Sequence, residues 1–170
     1  MGQEHEFLQT LLAGTPDDLF VYLWAMSPDG ARKQSHWFQV GDGVEPIADL
    51  AMSLAPTQNV YFGVSASATD RGPHQRVTND SSAGIFGLWA DIDWATPDAH
   101  KKANLPPDRE AAIAILDSVG LEPTMLVDSG HELHAWWVYD EFWCFADESD
   151  RREAAERAYH AGQAPLNSVE

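Results

Sequence analysis

Gly87-Leu88-Trp89-Ala90-Asp91-Ile92-Asp93-Trp94, GLWADIDW, sets two carboxylates two residues apart in an otherwise apolar run. Leu, Trp, Ala and Ile in succession read as a strand packed on at least one face, and strand side chains alternate between faces. Asp91 and Asp93 are therefore expected on the same side, roughly 6–7 Å apart at Cα. Two like charges that close, at the edge of a core, repel each other and lose hydration unless a cation lies between them. A divalent metal meets that need.

Outward from this strand the chain alternates single helices with pairs of strands. Residues 3–12 read as a short helix, Phe20 to Trp24 as a strand, Ser27 to Gly30 as a turn and His36 to Val40 as the returning strand. Glu45 to Leu54 reads as a helix with Ile47, Leu50, Ala51 and Leu54 on its apolar face, and Asn59 to Ser65 as a further strand. Residues 66–83 form a polar loop. Beyond the aspartates come a loop with Pro97, Lys101 and Lys102, a helix from Asp108 to Ser118 closed by Gly120, and a strand from Pro123 to Val127. A tight turn at Ser129 to Glu132 leads into a strand from Leu133 to Tyr139, and a charged helix runs from Asp147 to about Gly162. The end, QAPLNSVE, carries no element signal. This order predicts an α+β fold, a mixed and mostly antiparallel sheet with flanking helices, rather than a doubly wound parallel sheet. Strand, helix, hairpin and helix in the second half resemble a split β-α-β unit.

Bulk properties narrow the function classes. The 170 residues suit one domain, and seven tryptophans with an apolar fraction of 44% supply a core. A single cysteine, Cys144, excludes an internal disulfide and a cysteine-based zinc site and fits a reducing compartment. No apolar run approaches the ~18 residues of a membrane span, and the first residues lack a signal-peptide pattern or a myristoylation motif. An intracellular, cytoplasmic protein without membrane partners is expected. The net charge of −17 opposes broad attraction to phosphate backbones, so any nucleic-acid contact must be local. The few cations do pair up: Arg32 with Lys33, Arg71 with Arg76, Lys101 with Lys102, and Arg151, Arg152 and Arg157.

Three constellations carry chemistry. Asp91 and Asp93 suit hard cations, Mg²⁺ or Mn²⁺, which favour oxygen ligands. Two such ions orient a hydroxyl and offset charge on a phosphoryl group during in-line displacement. D-x-D also occurs on ordinary surfaces, in calcium loops and in glycosyltransferases that hold a nucleotide-sugar diphosphate. The second constellation is Ser129-Gly130-His131-Glu132-Leu133-His134, a glycine-bearing turn that opens a strand. Backbone N–H groups and a hydroxyl at such a turn can hold phosphate, and the imidazole of His134 adds a donor. A hairpin with two ordinary histidines would look the same. The His-Glu-Leu-His run is one residue short of the helical H-E-x-x-H zinc motif and continues into a strand-like aromatic run. Third, Arg71 and Arg76 could grip a triphosphate or a template phosphate, or lie solvated in their loop.

Taken in order, NVYFGVS, the arginine-bearing loop, LWADIDW and PTMLVDSGHELHAWWVY resemble the archaeo-eukaryotic primase superfamily over roughly residues 59–140. The likeness is nearest to the primase-polymerases and replication primases of phages and plasmids. The discriminating feature is D-h-D followed by S-G-x-x-x-H ahead of an aromatic strand. The resemblance implies an RRM-like catalytic half, two divalent ions on Asp91 and Asp93, and His134 with Ser129 and Gly130 on the incoming nucleotide's phosphates. It implies contacts from Arg71 and Arg76 to nucleotide or template. Its implied partners are nucleoside triphosphates, a single-stranded DNA template, and a fused or recruited helicase.

Two departures stand out. The family turn carries a second glycine where this chain has His131-Glu132, and no third acid step follows Tyr139. The third acid is expected beyond Glu170, making residues 1–170 a single primase-polymerase domain cut before its last metal ligand. Other readings are a non-catalytic nucleotide- or nucleic-acid-binding replication module of the same fold, a D-x-D glycosyltransferase, and an acidic interaction domain.

Overall fold

The computed structural model describes residues 2–95, 105–130 and 132–167. Pro97, Lys101, Lys102 and His131 lie outside the described residues. The fold is α+β, with a three-stranded sheet, a four-stranded sheet and flanking helices. The chain divides into two compact units, Met1–Phe86 with Tyr139–Arg151, and Gly87–Val138 with Arg152–Glu170.

In the first unit, helix α1 (Gln3–Leu12) buries Leu8, Leu11 and Leu12. Strand β1 (Phe20–Met26) turns at Ser27 and pairs antiparallel with β2 (Lys33–Gln39), Met26 opposite Lys33 and Phe20 opposite Gln39. The Ser27–Gly30 turn is closed by the Gly30 N–H on the Ser27 carbonyl at 2.8 Å. Strand β2 begins three residues earlier than the apolar pattern suggests, because Lys33, Gln34 and Ser35 extend the pairing at its polar end. Helix α2 (Glu45–Leu54) follows, with Pro46 in its first turn, and packs on β1. Ile47 and Ala48 are its buried residues, whereas the expected Leu50, Ala51 and Leu54 are only half-buried.

The run NVYFGVS is not one strand. Residues Asn59–Phe62 form β3 and pair antiparallel with the other edge of β1, while Ser65–Ala66 form β4 and pair with Ile85 and Gly84 in the four-stranded sheet. Gly63 makes the break. Its N–H donates to the Tyr22 carbonyl at 3.2 Å, and a Cβ there would strike the Tyr22 ring. Val21, Leu23 and Ala25 of β1, Ile47 of α2, and a Phe62–Phe86–Phe142 series at 6.1 and 5.4 Å form the apolar interior. Each large side chain so buried contributes about 1.5–3 kcal/mol.

The four-stranded sheet has the order β4-β5-β7-β6, and its strands β5 (Gly84–Asp93) and β7 (Glu132–Cys144) each pass from one unit to the other. In the second unit, helix α3 (Arg109–Ser118) starts where the sequence places it, with Asp108 accepting the Ala111 N–H at 2.9 Å. Strand β6 (Met125–Asp128) pairs antiparallel with β7, from Met125 opposite Trp136 to Asp128 opposite Leu133. Ile92, Trp94, Ala112, Leu116, Leu133 and Ala135 make one core, flanked by Ile113 and Trp137. The Trp137 indole N–H bonds the Leu121 carbonyl at 3.0 Å and pins the chain leading into β6. Strand β7 runs five residues past its expected end at Tyr139. Helix α4 (Glu148–Asn167) likewise continues beyond the expected Gly162. Among the described residues no helix is long and apolar enough to cross a membrane.

Candidate metal centre

Alternation on β5 decides where the aspartates point. Ile92 and Trp94 are buried in the second unit's core, at 6% and 8% exposure, so Asp91 and Asp93 stand on the other face. The same logic holds on β7: Leu133 and Ala135 are fully buried, leaving Glu132 and His134 to point away from that core. One hydrophobic layer therefore fixes two rows of polar side chains by register alone.

The rows meet at His134. Its Nε2 lies 2.9 Å from Glu132 Oε1 and 3.4 Å from Asp91 Oδ1. Trp89 stacks on Trp136 at 6.0 Å between centroids, two residues back along β5 and two residues on along β7, as an antiparallel register requires. Asp91, Glu132 and His134 each present one ligand atom, and the three atoms lie within 4.8 Å of one another. A divalent ion with bonds of about 2.0–2.2 Å separates its ligand atoms by roughly 3–4.4 Å, so small side-chain rotations suffice to close around it. Two carboxylate oxygens and one imidazole nitrogen suit Mn²⁺, Zn²⁺ or Fe²⁺ as well as Mg²⁺.

Electrostatics point the same way. Burial raises the Asp91 carboxyl above its ordinary value; nearby His134 opposes that rise, and the charges of Glu132 and Asp93 add to it. A carboxylate that is both partly desolvated and crowded by two others is short of positive charge.

The set differs from the expected one. Asp93 shares the face and the field of Asp91, but the residues that converge within ligand range are Asp91, Glu132 and His134. Glu132 falls in the His131-Glu132 step, which at the level of sequence is a departure from the resembled turn. Its signal was its position two residues before His134 on a strand, which puts both on one face.

The turn before β7 is built from its own side chains. Gly130 sits at φ +89°, a conformation L side chains rarely adopt, and its N–H donates to Asp128 Oδ1 at 2.9 Å. The Ser129 N–H donates to the Glu132 carbonyl at 3.1 Å, and the Glu132 N–H to Ser129 Oγ at 3.2 Å. The N–H groups of Ser129 and Gly130 are thus engaged within the turn rather than left open for phosphate. Asp128 in turn receives Arg109 Nε at 2.6 Å from the start of α3, and this bond, together with Gly130, holds its carboxyl below the usual range. Asp128 and Arg109 were not among the expected site residues.

Arg71 and Arg76 belong to the first unit. Arg71 Nη2 donates to Gln75 Oε1 at 3.2 Å, and the Arg76 guanidinium lies over the Trp24 ring, 4.5 Å from its centroid. No family model matches the chain, and neither the curated proteins nor the solved structures yield a match.

Proposed function

We propose that the chain is the core of a DNA primase-polymerase, joining nucleotides on a single-stranded template with divalent ions as cofactors. The observation that carries this reading is the approach of His134 to both Asp91 and Glu132. It unites the aspartate strand with the histidine hairpin, the two motifs on which the family resemblance rests. The same face keeps Asp93 close enough for its charge to be felt at Asp91.

In this reading Asp91, Glu132 and His134 hold one ion, and Asp93 supports a second. Bound divalent ions supply charge compensation at the α-phosphate and activate the attacking 3′-hydroxyl. The reaction joins that hydroxyl to the α-phosphate as a phosphodiester and releases pyrophosphate. With one ring nitrogen of neutral His134 on the ion, its other ring N–H remains a donor for a phosphate oxygen. Trp89 and Trp136 stack two positions along their strands from Asp91 and His134.

Substitution of both Asp91 and Asp93 by Ala tests the proposal. With template, nucleoside triphosphates and Mn²⁺, the wild-type protein is expected to yield extended products and the double variant none, with circular dichroism unchanged. Equal product from the two proteins would end the reading. Among the described residues one three-ligand cluster forms, with Asp93 outside it, and this single-ion set favours a second reading, a replication module that binds nucleotide without catalysis. Metal-dependent nucleotide binding with no product from the wild type would select it.

A further inference from the structure

Two residues before Asp91 on β5, and therefore on the same face, stands Trp89. Its side chain is 37% exposed, whereas Ala90 and Ile92, which alternate with this row, are buried at 5% and 6%. Trp136 on β7 stacks against it, with 6.0 Å between ring centroids and 27° between ring planes. On β6, Met125 lies opposite Trp136 and Val127 opposite His134. Directly opposite residues in an antiparallel pair share a face. Two rows thus cross three strands, Trp89, Trp136 and Met125 in one and Asp91, His134 and Val127 in the next.

Trp136 covers one face of the Trp89 indole, so the exposure of Trp89 falls on its other face and its rim. Strand β4 pairs with β5 only at Ile85 and Gly84, so among the described residues no strand flanks Trp89 on that outer side. Trp136 is itself only 7% exposed. An indole backed by a buried second indole is held in place before a ligand arrives, and stacking on it costs little further ordering. Charge indicates what would stack there. The charges of Asp93 and Glu132 both reach Asp91, so a single divalent ion on the cluster faces three carboxylates and leaves the face negative. Phosphates alone gain little from such a face, and a ligand that also carries a neutral flat ring gains from Trp89. Val127, opposite His134, offers no ligand atom, so the ion's remaining positions stay open to phosphate oxygens or water.

We propose that Trp89 is the base-stacking platform of this metal centre: a nucleotide lays its base on the outer face of the indole while its phosphates reach the ion held by Asp91, Glu132 and His134. The inference takes its ligand from the nucleotidyl-transfer reading and adds the residue that holds the base. Strand geometry sets the spacing, with Trp89 and Asp91 roughly 6–7 Å apart at Cα and one sugar to join base and phosphates. Every base has a face to stack, so an indole supplies affinity without choosing among bases by hydrogen bonds. The platform lies on the same sheet as the ligands, so the register that sets Asp91 against His134 also sets the base against the ion.

The test is calorimetry at saturating Mn²⁺ with two probes, ATP and inorganic tripolyphosphate, the second being the phosphate chain without base or sugar. Wild-type protein is expected to bind ATP at least tenfold more tightly than tripolyphosphate. Trp89→Ala should lose about tenfold in ATP affinity and nothing in tripolyphosphate affinity, and Trp89→Phe should keep most of the ATP affinity. Equal binding of the two probes by the wild type overturns the stacking role and leaves the metal centre standing. So does a Trp89→Ala variant that loses affinity for neither probe, or for both alike. A wild type that binds neither probe in Mn²⁺ overturns the metal reading, and this inference with it.

Discussion

Two faces of this molecule are built alike and differ in how their charges are balanced. On each, strand alternation sends apolar side chains into a core and leaves the other row free for chemistry. On the three-stranded sheet that row is aromatic, and Arg76 rests on Trp24. A cation over an indole is a favourable arrangement, worth about 0.5–1 kcal/mol at an exposed position. On the β5–β7 face Asp91 is held among Glu132, Asp93 and His134, partly desolvated and with its charged form disfavoured. On the first face the cation already has a partner in the indole ring. The second has a deficit that a cation would remove. A net charge of −17 describes neither.

The strongest way to break this comparison is to remove the floor beneath the acidic face. Leu133 lies between Glu132 and His134 on β7 and is completely buried among Ile92, Trp94, Ala112 and Leu116. Leu133→Ala is expected to lower unfolding stability by about 2–5 kcal/mol in urea titration. A loss below about 1 kcal/mol would mean that this core does not hold the two polar rows in place.

Next in size, Glu132→Gln keeps the shape of the side chain and removes its charge. Titration of Mn²⁺ by calorimetry should show affinity at least tenfold lower than wild type, about 1.4 kcal/mol. An unchanged affinity would return the site to Asp91 and Asp93 alone.

The smallest effect concerns the turn. Asp128 has its folded pKa depressed by Arg109 and the Gly130 N–H, so its stabilising contribution is present above the unfolded value, about 3.9, and is lost as pH falls through the folded value. Asp128→Asn should therefore unfold slightly more readily than wild type at neutral pH, with the difference vanishing in acid. Thermal melts across that range measure it, and a gap that persists at low pH would trace the effect to shape rather than charge.

Much of the site was legible because its signal is local. Asp91 and Asp93 alternate with Ile92 and Trp94, and period-two alternation is a property of the strand itself. The helix beginning at Asp108, the turn at Ser27–Gly30 and the helices at 3–12 and 45–54 were legible for the same reason: their determinants sit within a few residues. What escaped depends on partners distant in sequence or on sheet membership. Arg109 meets Asp128, and Arg76 meets Trp24, across long intervening chain. The extension of β7 through Asp140 and Glu141 was hidden because two adjacent charges usually mark a strand's end; both are exposed here, and Phe142 after them is buried. Glu132 was hidden by the motif itself, which directs attention to serine, glycine and histidine. The family to which the pattern points remains a proposal, carried by the cluster and its two motifs.

Gly63 shows how a residue with no chemistry can constrain chemistry. An added methyl there has nowhere to go but into the phenol of Tyr22, which stands in the same aromatic row as Trp24 and Trp37. Position 63 is thus intolerant for want of room, and a mutational survey scored by activity alone would mistake a vacancy in the packing for a member of the machinery.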